Sequence, residues 1–329
     1  MKIAMFSTKQ YDQEYFEKFN SDENFEIEFF ETRLDPHTVG LTKGFEAVCV
    51  FVNDKIDEKT IEAMHQNGIK LIALRCAGFN NVDLEAVKKY DIKVVRVPAY
   101  SPEAVAEHAI ALIMTLNRKT HKSYNRVREG NFSLNNLIGF NLSNKTVGVV
   151  GTGRIGVALC GILIGFGCKV IAYDLYPSDE LKRLGIEYVQ LNELFRQSEV
   201  ISLHCPLTTE TKHMINKNSL DVMKDGVMII NTSRGELIKT SDVIQGLIER
   251  KVGYLGIDVY EQEEDLFFKD LSEHIIEDEY ILRLNSFPNV LITSHQAYFT
   301  NDAMNEIALT TLENIKDFKE GNMLSNEVK

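Results

Sequence analysis

Gly151, Gly153 and Gly156 stand in the spacing G-x-G-x-x-G, directly after the apolar run TVGVV and directly before a helical pattern. In that context the first glycine allows a tight turn and the second lets backbone amides approach a pyrophosphate. The third lets the helix pack close to the strand, with the helix N-terminus favouring the anion. A second apolar run, KVIAYD, ends in Asp174, close to the ~20-residue offset at which a carboxylate accepts ribose hydroxyls. An acid there repels a 2′-phosphate, so NAD is expected rather than NADP. The alternative is structural: a tight strand-to-helix turn, with Asp174 capping the next helix. Arg154, inside the loop, reads equally as a pyrophosphate contact or a solvated surface cation.

In open α/β sheets the ligand sits beyond the carboxyl ends of the strands, so polar residues there are candidates for chemistry. VMIINTSRGE places Arg234 after one strand, YLGIDVYEQEE places Asp258 and Glu263 after the next, and NVLITSHQAYFT places His295 after the last. A guanidinium, carboxylates and an imidazole on successive strand ends suit reduction of a 2-oxo acid by a dihydronicotinamide. Hydride delivery to the carbonyl carbon leaves an alkoxide that needs a proton, and histidine changes charge near neutral pH. A carboxylate beside the ring would fix it. Arginine offers a planar fork of donors matching the substrate's carboxylate or carbonyl, which lysine does not. Taken singly, each residue has an ordinary explanation: a structural histidine after a strand, a solvated acid in the run EQEEDLFFKD, an arginine capping its strand. Their joint placement is what points to a site. Glu261 and Glu264 are neighbouring candidates for the carboxylate.

Positioning these residues requires parallel sheets. Ahead of the glycine loop, KIAMF (2–6), FEIEFF (25–30), AVCVFV (47–52), KLIALR (70–75) and KVVRV (93–97) are strand-like, with helical patterns such as DEKTIEAMHQNG and NVDLEAVKKYD between them. Two prolines then precede a long helix from about Pro102 to Arg128, a break that looks like a hinge. From Thr146 a second alternating series runs through TVGVV, KVIAYD, GIEYV, EVISLHCP, VMIINTS, YLGIDVY and NVLITSH. At 329 residues the chain exceeds the roughly 100–200 residues of one core, so two doubly wound α/β units are expected. The last segment, 301–321, is amphipathic, with Met304, Ile307, Ala308, Thr311, Leu312, Ile315 and Phe318 on one stripe. It either covers the second sheet or crosses back to the first unit.

Composition narrows the function. A net charge of −12 without a dense Lys/Arg cluster argues against nucleic-acid or anionic-membrane partners. A small anionic substrate then needs a locally placed cation. The cysteines, Cys49, Cys76, Cys160, Cys168 and Cys205, are odd in number and form no CxxC pair, so they read as buried thiols of a reducing cytosol, with no disulfide framework and no metal site. The N-terminal residues enter a strand at once, unlike a signal peptide, and no apolar stretch is long enough to span a bilayer.

Essentially the whole chain resembles the D-2-hydroxyacid dehydrogenase family: RCAGFNNVD, VPAYSPEAVAEHA, VGVVGTGRIG, HCPLTTETKHMIN, NTSRGELI, DVYEQEEDLFF and SHQAYFT follow in family order. The long acidic and aromatic segment after Glu263, where many relatives carry prolines, resembles the lactate-type branch. The resemblance implies a flavodoxin-like substrate domain of residues 1–100 and 299–329, and a Rossmann NAD-binding domain of residues 101–298, with the active site in the cleft. The helix after Pro102 resembles a dimer-forming arm, implying a homodimer or dimer of dimers.

By position, Arg234 matches the substrate-orienting arginine, Glu263 the carboxylate partner and His295 the acid/base; register against DVYExE selects Glu263. Gly151, Gly153, Arg154, Ile155, Gly156, Asp174, Cys205, Pro206, Thr211, Thr232, Ser233 and Asp258 match cofactor contacts. Ala77 and Gly78 match a loop whose amides hold the substrate carboxylate. Tyr100 and Phe299 match side chains near the substrate, with interdomain packing as the alternative. His108 and His204 read as structural. The activity implied is reversible, NADH-dependent reduction of pyruvate to D-lactate in the cytoplasm. The alternatives are a bulkier 2-oxo acid, such as 2-oxoisocaproate or phenylpyruvate, and an NAD-sensing binding protein.

Overall fold

The computed structural model describes residues 1–21, 23–263 and 266–328. The chain divides into two compact units, Met1–Ser101 with Phe299–Lys329, and Pro102–Tyr298.

The first unit holds a parallel sheet of β1 (Lys2–Met5), β2 (Glu26–Phe29), β3 (Ala47–Val50), β4 (Leu71–Leu74) and β5 (Lys93–Arg96), in the order β2-β1-β3-β4-β5. β3 and β4 are buried along their whole length, which is why AVCV and LIAL are unbroken apolar runs, whereas the edge strand EIEF alternates between exposed and half-buried. The amphipathic terminal segment forms the helix Asn301–Glu320, started by Thr300 Oγ1, which accepts from Ala303 N at 3.2 Å, and stopped by Gly321 at φ +73°. It crosses back: Ala308, Leu312 and Ile315 join Ile3, Met5, Cys49, Leu71 and Val95 in the core of the first unit.

The second unit is a seven-stranded parallel sheet of β6 (Thr146–Val150), β7 (Lys169–Tyr173), β8 (Glu187–Tyr188), β9 (Val200–Leu203), β10 (Val227–Asn231), β11 (Val252–Ile257) and β12 (Val290–Ile292). Its order is β12-β11-β10-β9-β6-β7-β8, so the strand order reverses between β6 and β9, the place where open α/β sheets bind ligands. A core cluster lies on each face. Val147, Val149 and Ala172 pack with Leu159 and Leu163 of the helix Arg154–Gly165 and Leu112 and Leu116 of the helix Pro102–Arg118. Val150, Ile171 and Leu203 pack with Leu194, Leu220, Leu247 and Leu284 on the other side.

The single helix expected over 102–128 is two, Pro102–Arg118 and Thr120–Arg128, parted by Lys119 at φ +50°. Buried Asn117 accounts for the break. Its Nδ2 donates to Phe140 O and its Oδ1 accepts from Phe140 N, both at 2.8 Å, so the returning chain competes for the helix end. The first helix buries Ala106, Ala109, Leu112, Ile113 and Leu116; the second buries no residue. No helix among the described residues is long and apolar enough to cross a membrane.

Because Leu312 is 2% exposed, Leu312→Ala is expected to destabilise the first unit by about 2–5 kcal/mol, while Leu309→Ala, 38% exposed, stays within about 0.5 kcal/mol of wild type. Urea unfolding of the two variants checks this.

Candidate active site

The glycine loop leaves β6 at the reversal point. Gly151 has φ +92°, and a Cβ there would stand 2.6 Å from Cys205 N and from His204 C and O, beyond β9. A Cβ on Gly156 would stand 2.1 Å from Gly151 O, so the helix carrying Arg154 and Ile155 must lie flat on the loop. Gly153 differs: it is the N-cap of that helix, its φ of −64° suits any residue, and a Cβ would meet nothing within 4 Å. The protein's own packing therefore asks for glycine at 151 and 156 but not at 153.

Asp174, just past β7, accepts from Thr152 N at 2.5 Å and Tyr176 N at 2.8 Å, which ties the acid to the loop and leaves acceptor capacity on both oxygens. After β9, Ser233 Oγ donates to Cys205 O at 2.7 Å and Thr211 Oγ1 donates to Pro206 O at 2.7 Å. Burial pushes the Cys205 thiol up to about 11, so it stays protonated. Burial likewise pushes the His204 imidazole down to about 4, and its Nε2 shares a 2.7 Å hydrogen bond with Ser202 Oγ. Thr232 is buried and its Oγ1 has no hydrogen-bond partner among the described residues.

His295 and Glu263 come together. Glu263 Oε1 lies 2.9 Å from His295 Nδ1, and its Oε2 accepts from Tyr260 N at 2.8 Å. A carboxylate can only accept, so the ring proton is on Nδ1 and Nε2 is left as the nitrogen available to a substrate. Phe268 leans on the imidazole with ring centroids 5.8 Å apart, a neighbour that the run DLFF did not disclose. The backbone of His295 sits at φ +55°, a conformation that a side chain rarely adopts and that its surroundings must hold.

Asp258 holds it. The carboxylate is 1% exposed and accepts from Thr293 Oγ1 at 2.5 Å, Gln296 N at 2.9 Å and Ala297 N at 2.8 Å, while Asp258 O accepts from His295 N at 2.7 Å. His108 Nε2 stands 3.0 Å from Thr293 Oγ1 and 3.5 Å from Asp258 Oδ1. Burial pushes the Asp258 carboxyl up, but hydrogen bonds from His108, Thr293, Gln296 and Ala297 outweigh it and hold the group below the usual carboxylate range.

Arg234 begins the loop after β10. Buried Asn231 shapes that loop, donating from Nδ2 to Arg234 O at 2.8 Å and accepting from Ser233 N at 3.1 Å, while Arg234 Nη1 donates to Ser233 O at 2.7 Å. The next residue, Gly235, is pressed against the backbone of Tyr260, where a Cβ would come within 2.1 Å of its C and O. The arginine loop thus abuts the segment that carries Glu263. Glu261, the neighbouring candidate, is committed elsewhere: it takes His213 Nε2 at 2.6 Å and Thr240 N at 2.9 Å. Glu264 lies outside the described residues.

The remaining candidates belong to the first unit. Ala77 and Gly78 follow β4, where Ala77 O accepts from Arg96 Nη1 at 2.8 Å and Gly78 O from Cys76 Sγ at 3.3 Å. Tyr100 is half-buried. Phe299 is 48% exposed and meets the ring of Tyr11 edge-on, centroids 4.7 Å apart.

Residues 110–297 match the family model described as "D-isomer specific 2-hydroxyacid dehydrogenase, NAD binding domain", and the chain belongs to that family. It is 52% identical over 328 residues to "D-lactate dehydrogenase" of Escherichia coli (strain K12), covering 100% of both chains. Its fold matches the apo-structure of D-lactate dehydrogenase from Escherichia coli with TM-score 0.92 and 50% identity, over 100% of each chain. It also matches D-lactate dehydrogenase from Aquifex aeolicus complexed with NAD and lactic acid, with TM-score 0.89 and 37% identity, over 99% of this chain and 98% of that one. The protein is an NAD-dependent 2-hydroxyacid dehydrogenase of the D-lactate dehydrogenase-like kind. Its glycine loop fits the cofactor, because Gly153 keeps open a helix N-terminus and Thr232 Oγ1 offers an unspent buried hydroxyl.

Gly153→Ala is expected to leave the unfolding temperature within about 2 °C while weakening NADH binding at least about tenfold, as read by NADH fluorescence titration. Asp258→Asn is expected to cost about 1–3 kcal/mol in denaturant unfolding at pH 7. With a folded pKa below the unfolded ~3.9, that stabilisation is full above ~3.9 and is lost as pH falls further, so the gap between variant and wild type narrows only in acid.

Proposed function

We propose that the chain reduces pyruvate reversibly to D-lactate with NADH, and that His295 is the acid/base of the reaction. The 2.9 Å bond between His295 Nδ1 and Glu263 Oε1 carries this reading, because it presents a protonatable Nε2 with its ring orientation fixed. NADH, held by its pyrophosphate at the glycine loop, would supply the hydride from its nicotinamide end.

The chain's own groups do the rest. Arg234 clamps the substrate carboxylate with its fork of donors and draws charge from the carbonyl oxygen. Imidazolium at His295 gives the proton from Nε2 to the nascent alkoxide, and Glu263 stabilises the imidazolium while it waits. In the reverse direction the neutral ring takes the hydroxyl proton. The backbone amides at Ala77 and Gly78 bind the carboxylate, and Tyr100 and Phe299 border the substrate's methyl group.

For the cofactor, Gly151, Gly153, Arg154, Ile155 and Gly156 hold the pyrophosphate and Asp174 the adenosine ribose. Cys205, Pro206, Thr211, Thr232, Ser233 and Asp258 line the path to the nicotinamide. The helix Thr120–Arg128, with Phe132, Leu134 and Ile138 each more than 70% exposed beyond it, is proposed to pair with a second copy as a dimerisation arm. Five free cysteines, four of them buried, suit the reducing cytoplasm.

The test is NADH oxidation against pyruvate, 2-oxoisocaproate and phenylpyruvate, with chiral analysis of the product. Pyruvate is expected to give the highest kcat/KM and D-lactate as product; preference for a larger acid, or L-lactate, overturns the assignment. His295→Ala should lower kcat by at least about 10²-fold with NADH affinity unchanged. Arg234→Lys should raise the KM for pyruvate by about 10–100-fold, since one charged hydrogen bond of the fork is lost.

A further inference from the structure

Three loops at the carboxyl edge of the second sheet meet at a pair that the proposed chemistry does not use. His213 lies in the loop after β9, Glu236 in the arginine loop after β10, and Glu261 in the segment after β11. His213 is held at φ +53°, its N donating to Glu236 O at 2.7 Å and its O accepting from Asn216 Nδ2 at 2.8 Å. From that pinned backbone its Nε2 reaches Glu261 Oε1 at 2.6 Å. The other oxygen of Glu261 takes Thr240 N, the first residue of the helix Thr240–Ile248, at 2.9 Å. One carboxylate therefore ties the loop of His213, the helix that follows the arginine loop, and the segment leading to Glu263.

We propose that His213 and Glu261 act as a clamp that sets where Arg234 and Glu263 stand, making both positioning residues for the 2-oxo acid chemistry. The inference rests on the roles proposed above for Arg234 and Glu263. Between Arg234 and Glu263, Gly235 packs directly against the backbone of Tyr260, which fixes closeness but not angle. The clamp supplies the angle: it joins Glu236, two residues past Arg234, to Glu261, two residues before Glu263, through the backbone and ring of His213. The pair is also unsuited to a core-building role, since the side chains of His213 and Glu261 are 31% and 20% exposed. Small displacements of groups that bind and orient a substrate cost rate steeply.

The experiment compares His213→Ala, His213→Gln and Glu261→Ala, and the His213→Ala variant in the Glu261→Ala background, in full-length protein with pyruvate and NADH. His213→Ala is expected to lower kcat/KM for pyruvate about tenfold with NADH affinity and unfolding temperature unchanged. Glutamine, whose side-chain amide can donate to the same oxygen, should recover most of the loss. Adding His213→Ala to Glu261→Ala should cost nothing further, because the partner is already gone. Amide hydrogen exchange should speed up across residues 234–239 and 258–263 in His213→Ala and stay unchanged in the glycine loop. A kcat/KM within twofold of wild type, no recovery with glutamine, or unchanged exchange in both loops overturns the clamp. Absence of turnover by the wild type with every 2-oxo acid would instead overturn the proposed function, and the exchange measurement would still decide the clamp.

Discussion

The geometry of the site hangs on a buried anion. Asp258 is shut away from water, which works against its charge, and a carboxylate in that position persists only when donors fill its oxygens. Three donors, Thr293 Oγ1, Gln296 N and Ala297 N, come from the stretch that carries His295, and His108 of the helix Pro102–Arg118 adds to them. The cost of burying one charge is thus offset by ordering one loop. With His295 N also bound to Asp258 O, the imidazole has little freedom left except rotation of its own ring, and Glu263 removes that.

The acids after β11 divide the work although they are nearly adjacent. Asp258 faces inward and shapes the histidine loop, Glu261 reaches to His213 and Thr240, and Glu263 meets the imidazole. The division follows from direction: the backbone leaves the sheet at Ile257 and turns at Tyr260, so acids a few residues apart point to different neighbours. Gly235 makes that turn possible by letting the arginine loop touch Tyr260. A site assembled this way needs no long-range charge; the carboxylates of Asp258, Glu261 and Glu263 are each satisfied by neighbouring donors.

Much of this was legible in the residues, because the signals are local. Strand runs, the glycine spacing, the acid after the second strand and the polar residues at strand ends all follow from periodicity and from the rule that ligands gather at carboxyl edges. What was not legible depends on contacts between distant segments. The break at Lys119 is caused by Asn117 bonding Phe140, and nothing in the helical pattern of 102–128 announces that partner. The engagement of Glu261 by His213 and the approach of Phe268 to His295 are of the same kind, while the return of the terminal helix to the first core was left open by its amphipathic stripe and implied only by the family resemblance. Asp258 shows the limit clearly: its position after a strand marks it as relevant, but only the donors around it show that it spends its charge on the loop of His295.

The division of the first unit between the two ends of the chain carries a consequence for synthesis. Residues of the second unit are contiguous, so all of them are synthesised before the helix Asn301–Glu320. Until then β1 to β5 lack Ala308, Leu312 and Ile315, and on that face Ile3, Met5 and Leu71 have only part of their cover, from side chains such as Phe16 and Phe25. A chain released before residue 300 would therefore carry one complete unit and one open one, and its partly exposed sheet would be the natural target of chaperones.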